Sequence, residues 1–398
     1  MNSMTFTGTL AGYAASKKYL AWILALVATV NTGFSQDSAA RSRADRGFTY
    51  VREVVQEMPW SINIVKISRT NSSLGFQSTL AAGRHLGLAT LTEHVARFPR
   101  ELGKPLVAMN GDYFIRRGDY GGDPEGLQIL GGELISGPSI KSCFWMDESG
   151  EPRITNVVSR LEVTWPDGAA TPMGLNEERP ADRAVLYTPA MGGSTHASGG
   201  VELILEPDGE GPWLPLRPGR LISARISAVR DRGNTSLSST NLVLSLGPTL
   251  ARRLVKATVG ARLKISTETI PSLRGVNVAI GGGPALLAGG KLTDFQSTAV
   301  RHPRSAIGWN KDFFFLVQVD GRQRDHSVGM TLQELAERMK QMGCEYALNL
   351  DGGGSSTIWM LGQIVNSPSQ GAERPMGNAI ILVQKERVGS TASSGTDK

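Results

Sequence analysis

Thr331-Leu332-Gln333-Glu334-Leu335-Ala336-Glu337-Arg338-Met339-Lys340-Gln341-Met342 leads, after three residues, into Tyr346-Ala347-Leu348-Asn349-Leu350 and then Asp351-Gly352-Gly353-Gly354-Ser355-Ser356-Thr357. Leu332, Leu335, Ala336 and Met339 share one face of a helix and Glu334, Glu337, Arg338 and Lys340 the other, which predicts an amphipathic helix over Thr331 to Met342. The apolar stretch after it reads as a buried strand that delivers a carboxylate to three glycines. The same order occurs earlier. Thr90-Leu91, Glu93 and Arg97 precede an apolar strand ending in Met109-Asn110-Gly111. Each copy is followed by a strand and a glycine turn, at Leu130–Leu134 and at Leu361–Ile364. The echo predicts two related half-domains whose strand-end loops share a cleft.

Beyond these two units helical patterns are few. Alternating or apolar strand patterns are many, at Ser61–Ile67, Leu106–Met109, Leu127–Leu130, Ala184–Tyr187, Val201–Leu205, Leu221–Val229, Leu242–Leu246, Ala261–Ile265, Val276–Ile280, Phe313–Val319, Tyr346–Leu350 and Asn378–Val383. This balance predicts an α+β fold of mostly antiparallel sheet with few helices. With 398 residues, 40% of them hydrophobic, the chain can bury a large core. Lys17, Lys18, the apolar run Tyr19 to Val30 and the small residues Gly33 and Ser35 predict a signal peptide over residues 1–35, cut before Gln36, with no stable membrane anchor afterwards. Residues 36–60 read as a linker and lead-in, residues 61–385 as one domain, and residues 386–398 as a disordered tail. Without the leader the formal charge falls from +6 to +4, by loss of two lysines and no acids, too mild for a nucleic-acid binder. The two cysteines, Cys143 and Cys344, rule out a disulfide-dense scaffold, and Cys344 reads as a buried free thiol.

The Asp351–Thr357 stretch carries the densest chemical signal. Glycines let successive N–H groups approach an anionic oxygen, Ser355 and Ser356 add donors, and Asp351 stands beside them. No Gly-Lys-Ser/Thr follows, so it is not a P-loop, and neither serine lies in a nucleophile elbow. The five histidines form no metal-type cluster, so no cofactor is predicted, with a divalent cation left open. Arg304, next to Pro303, suits phosphate with its planar fork, and Asp320 ends the apolar strand Phe313–Val319 beside Gly321. Asn110 ends another strand. Tyr113 and Phe114 each read either as the floor of a sugar site or as core, and for Phe114 core is the better reading. Arg374 and Asn366 lie in further loop segments beside prolines.

Asn-Gly-Asp-Tyr-Phe at 110–114, Gly-Gly-Gly-Pro at 281–284, Pro-Arg-Ser-Ala-Ile-Gly at 303–308, Val-Asp-Gly-Arg at 319–322, Leu-Asp-Gly-Gly-Gly-Ser-Ser at 350–356 and Val-Asn-x-Pro at 365–368 follow one another in order. The set resembles the phosphodiester glycosidase family, typified by N-acetylglucosamine-1-phosphodiester alpha-N-acetylglucosaminidase and its catalytic domain. The resemblance implies an exported hydrolase, periplasmic or extracellular, that cleaves the glycosidic bond of sugar-1-phosphodiesters. It makes Asp351, Asp320 and Asn110 the catalytic candidates. Arg304, Gly352, Gly353, Gly354, Ser355, Ser356, Arg374, Asn366 and Tyr113 become the substrate and phosphate ligands. The partner is a sugar phosphodiester or phosphorylated glycan. Ser305 replaces the more usual Thr, and Asp112 stands where a small residue is common, a change expected to bear on substrate choice. Residues 141–241 match poorly and read as elaboration. The rival readings are a depolymerase acting on phosphate-free glycan and a non-catalytic glycan-binding protein.

Overall fold

The computed structural model describes residues 47–253 and 258–385, so the expected signal peptide, residues 36–46 of the linker and the 386–398 tail lie outside the described residues. Both expected helices form, as Leu91–Ala96 and Leu332–Gln341, and both start in the same way. The Thr90 and Thr331 hydroxyls accept from the N–H groups of Glu93 and Glu334, whose carboxylates return to the threonine N–H groups. Each threonine thus closes a capping box that satisfies donors a helix otherwise leaves open. Among the described residues the remaining α-helix is the single turn Pro248–Ala251.

Strands dominate because alternating side chains let a sheet bury both faces. In Phe313–Val319, Phe314 and Leu316 point to one side and Phe315, Val317 and Val319 to the other. This strand is third in a seven-stranded sheet ordered Phe48–Val55, Trp60–Ser68, Phe313–Val319, Arg304–Trp309, Tyr346–Asn349, Ala285–Ala288 and Lys291–Leu292. Its inner face packs Val65, Ile307, Leu316 and Leu348 on Val107, Met109, Ile380 and Leu382 of a five-stranded sheet. That second sheet runs Gln363–Ile364, Ile358–Met360, Lys104–Asn110, Ala379–Gln384 and Leu74–Ser78. Leu335, Ala336 and Met339 of one helix cover the outer face of the first sheet, and Leu91 of the other covers Ala108 and Ile381 of the second. The layers are therefore helix, sheet, sheet, helix, an α+β arrangement of mostly antiparallel sheet.

A third sheet, centred on Val278–Gly281, joins this sandwich to a closed seven-stranded barrel whose strands run from Val158–Thr164 to Arg262–Ile270. Ile129, Leu134 and Trp145 of that sheet share a core with Leu203, Leu244 and Ile265 of the barrel. The strands Ala170–Leu175 and Ala184–Tyr187 pair in parallel. The barrel begins at Val158, within the segment read as elaboration, and continues past Asn241.

Two readings need correction. Structure begins before Ser61: Phe48–Val55 pairs along its length with Trp60–Ser68, from Phe48 opposite Ile67 to Val55 opposite Trp60. Val51 and Val54 are 55% and 58% exposed, so the strand's own pattern is misleading and its partner specifies it. Asp112, expected to bear on substrate choice, faces inward. It is buried, and a Cβ on Gly281 would lie 2.1 Å from its Oδ2, so that glycine makes room for the carboxyl. Cys143 and Cys344 are both buried and unpaired, with thiols pushed up to about 12 by burial.

Toward the Asp351 end, the inner face of the first sheet changes from apolar to polar. Asn63 lies opposite Gln318, and Gln318 opposite Ser305. Tyr50 Oη donates to Asn63 Oδ1 at 2.7 Å, and Asn63 Nδ2 donates to Gln318 Oε1 at 2.7 Å. Gln318 Nε2 donates to Ser356 Oγ at 3.1 Å and to Asp320 Oδ1 at 3.2 Å. Ser305 Oγ completes the row, donating to Asn110 Oδ1 at 2.6 Å. Gln318→Leu would leave the buried Asn63 amide without its acceptor. It is expected to lower unfolding stability in urea by about 2–3 kcal/mol. A loss below about 0.5 kcal/mol would mean the row carries no structural weight.

Below the loop after Asn110 lie two carboxyls with little compensation. Asp112 Oδ2 and Asp123 Oδ1 are buried without a hydrogen-bond partner. Burial raises Asp112 to about 7 and Asp123 to about 8, and the charge of Glu177 adds to the Asp123 shift. With folded-state values above the unfolded ones, stability is complete below about pH 4 and is lost as pH rises through the folded values. Asp123→Asn removes its share of that loss. The Tm gain of this variant over the native chain should therefore grow from pH 4 to pH 9. A gain independent of pH would contradict the assignment.

Candidate active site

Register brings three strand ends to one edge of the seven-stranded sheet. Arg304 lies opposite Val319, the residue before Asp320, and Ala306 lies opposite Asn349. The Leu350 N–H donates to Ser305 O at 2.9 Å, which seats Asp351 beside Arg304. From the facing sheet comes Asn110. Its Nδ2 donates to Asp351 O at 2.6 Å, while the Asp351 N–H donates to Gly111 O at 2.9 Å. The two strand-end loops singled out by the internal echo thus meet directly.

The Asp351 carboxylate is buried beneath its own loop. Oδ1 accepts from the Gly352 N–H at 2.8 Å, and Oδ2 lies 3.3 Å from Arg374 Nη2. Burial pushes its pKa up, opposed by Ser355, the Arg374 charge, the Gly352 N–H and the charge of Arg116. Arg374 Nη2 also donates to Ser355 Oγ. Arg304 is half-buried and donates from Nε to Met330 O at 2.9 Å, leaving its terminal nitrogens without a partner among the described residues. Burial lowers the pKa of Arg304 and of Arg374, and the charge of Arg322 lowers both further. Tyr113 is packed in beside them. Its Oη accepts from Asn349 Nδ2 at 3.1 Å, and burial, together with the Asp351 charge, raises its pKa. Lys141 Nζ lies 4.5 Å from the centre of the Tyr113 ring. An adjoining cavity of about 480 Å³ is lined by Tyr113, Lys141, Gly283, Pro284, Thr293 and Asp294. Phe114 is core.

Several expected ligands are committed elsewhere. The Gly352 N–H turns to Asp351 and the Gly353 N–H to Pro303 O at 2.9 Å. Of the three glycine N–H groups, only that of Gly354 is left over among the described residues. Gly353 takes φ +59, which a glycine adopts without strain. Ser356 Oγ points away from Ser355, donating to Arg304 O at 2.9 Å beneath the loop. The Asn110 amide is also spent, since Oδ1 accepts from Ser305 Oγ and from the Thr357 N–H at 3.2 Å. The Asn110 side chain thus holds the Asp351 backbone from the facing sheet. Asn366 donates from Nδ2 to Asp320 Oδ1 at 3.1 Å and accepts the Ile358 N–H at 3.0 Å.

Asp320 is fully buried and saturated. Oδ1 accepts from Gln318, Asn366 and the Ser367 N–H, and Oδ2 lies 2.9 Å from His326 Nε2. Its geometry suits holding His326 more than attack on a substrate. His326, Gln318, Arg322 and Arg116 were not assigned from the sequence. Arg322 lay within a quoted motif, and its φ of +61 gives it a backbone unusual for arginine. Nothing in sequence spacing ties His326 to Asp320. Among the described residues no three His, Cys, Asp or Glu side chains converge to hold a metal ion, and no helix is long and apolar enough to cross a membrane.

Known proteins are similar to this chain in sequence or in fold. A 93-residue stretch is 34% identical to the SPbeta prophage-derived uncharacterized protein YomE of Bacillus subtilis (strain 168), covering 23% of this chain and 14% of that protein. A hypothetical protein from Synechocystis superposes with a TM-score of 0.67 and 21% identity, over 85% of this chain and 62% of that one. A Burkholderia pseudomallei K96243 protein, named as a suspected exported protein, superposes at 0.64 with 22% identity, over 82% and 74%. These two structural likenesses concern the fold. The sequence of residues 225–383, which includes Arg304, Asp320, Asp351 and Arg374, matches the family model described as phosphodiester glycosidase, and over that span the chain resembles this family.

Proposed function

We propose that the chain is an exported hydrolase that breaks the glycosidic bond of sugar-1-phosphodiesters. The observation that carries the reading is one partly desolvated carboxylate, Asp351, paired with the guanidinium of Arg374 and seated next to the strand end that carries Arg304. A phosphate leaving an anomeric carbon gains negative charge and needs little protonation. Preorganised cations that meet this charge supply the stabilisation such a reaction requires. Water supplies the new bond to the anomeric carbon, the bond from that carbon to the phosphate oxygen breaks, and its electron pair stays with the phosphate. Asp351 acts at the carbon or takes the proton of the attacking water. Asp320 keeps His326 oriented at the edge of the site. Tyr113 and the cavity beside it receive the sugar. Export rests on the N-terminal pattern and agrees with the name of the Burkholderia protein.

Asp351→Asn keeps the shape and one acceptor, so it should fold normally and lose about a hundredfold or more in kcat. Near-native turnover by a folded variant would return Asp351 to a turn role. Hydrolysis of a sugar-1-phosphodiester in 18O-labelled water distinguishes attack at carbon from attack at phosphorus. With brief sampling, label is expected in the released sugar and none in the phosphomonoester. Labelled phosphate would overturn the mechanism.

A further inference from the structure

Positive charge around Asp351 exceeds what one phosphodiester requires. Arg374 is paired with Asp351, and Arg304 has unspent nitrogens. Two more guanidinium groups attend the same loop. Arg322 lies against it, since a Cβ on Gly353 would be 3.0 Å from Arg322 Nη2. Arg116, exposed on the loop that follows Asn110, is close enough for its charge to act on both Asp351 and Arg374. Among the described residues, Arg116, Arg304 and Arg322 form no ion pair with a carboxylate, and Asp320 is committed to His326. The guanidinium groups at this loop therefore outnumber the one carboxylate that pairs with any of them, Asp351 with Arg374. A phosphodiester carries one negative charge, and the phosphomonoester it releases about two. Arg322 and Arg374 also sit on consecutive glycines, each 3.0 Å from a Cβ position, at Gly353 and Gly354. They converge on one loop, too tightly to be spaced along successive repeats of a polymer.

On the reading above, we propose that the substrate is a sugar joined to a diphosphate diester, with the proximal phosphate against Arg304 and Arg374 and the distal one against Arg322 and Arg116. Water adds to the anomeric carbon, and the carbon–oxygen bond to the proximal phosphate breaks, its electron pair staying on that oxygen. One proton passes to solvent. The departing diphosphate monoester gains one negative charge, reaching about three, which the guanidinium groups left without a carboxylate would meet.

Titration calorimetry of the full chain with methyl phosphate and with methyl diphosphate tests the idea without assuming a sugar. The diphosphate should bind at least about tenfold tighter, as one further charge-assisted contact provides. Arg322→Gln and Arg116→Gln should each bring the ratio toward one. Hydrolysis of a nucleoside diphosphate sugar, compared with the methyl phosphodiester of the same sugar, should show the same preference and the same loss. Equal affinities in the native chain, or a preference that both variants keep, would overturn the diphosphate assignment while leaving the phosphodiester reading intact. Failure of either anion to bind would sink both.

Discussion

The site depends on a buried row of amides and hydroxyls, Asn63, Gln318 and Ser305, laid across neighbouring strands of the seven-stranded sheet. Toward the other end of the strands this face is apolar and packs on the second sheet. Polar groups here are tolerable because their hydrogen bonds are made, and removing one member strands its neighbours. The row also reaches outward. Gln318 holds Ser356 and Asp320, and Ser305 holds Asn110, which holds the carbonyl of Asp351. A stretch with three consecutive glycines has little conformational preference of its own. Its shape is imposed from beneath by residues on four strands.

Electrostatics completes what the row begins. Burial raises the pKa of Asp351 and lowers those of Arg304 and Arg374, so each charge is disfavoured by its surroundings, while Asp351 and Arg374 support one another. The support is uneven, because cations outnumber carboxylates. Such a site holds its cations in place before any anion arrives, and an arriving anion relieves their mutual repulsion. Burial, followed by the charges of Arg322 and Arg304, lowers the pKa of His302, so it adds no further positive charge at neutral pH.

Much of the fold was legible because its signals are periodic. Leu335, Ala336 and Met339 fall on one helix face by spacing alone, and the threonines at 90 and 331 that begin both echoes prove to be the helix caps. Phe313–Val319 reads correctly because both its faces are buried. Phe48–Val55 does not, because its exposed valines follow no period and its partner strand decides its state. At the site, residue types were readable and directions were not. Ser355 and Ser356 are neighbours of the same type, yet one hydroxyl meets Arg374 and the other lies under the loop against Arg304 O. The glycine N–H groups pose the same difficulty, because which way an N–H points depends on φ and ψ, and glycine leaves both open. His326 was invisible for a different reason: its link to Asp320 is a through-space contact on an irregular loop.

The meeting of the two echoed units explains why one ends in an amide and the other in a carboxylate. Asn110-Gly111 and Asp351-Gly352 occupy matching positions after matching strands. Asn110 must donate to Asp351 O while accepting from Ser305 Oγ and the Thr357 N–H. Only a side chain with both a donor and an acceptor can do so. An ionised carboxylate at position 110 would have no proton for the Asp351 carbonyl. It would also set a second buried negative charge beside the first, raising the pKa of both. At position 351 the requirement is reversed, because Arg374 and the Gly352 N–H both donate and the side chain need only accept. The uncharged member therefore holds the backbone of the charged one, and the division follows from what each strand end meets.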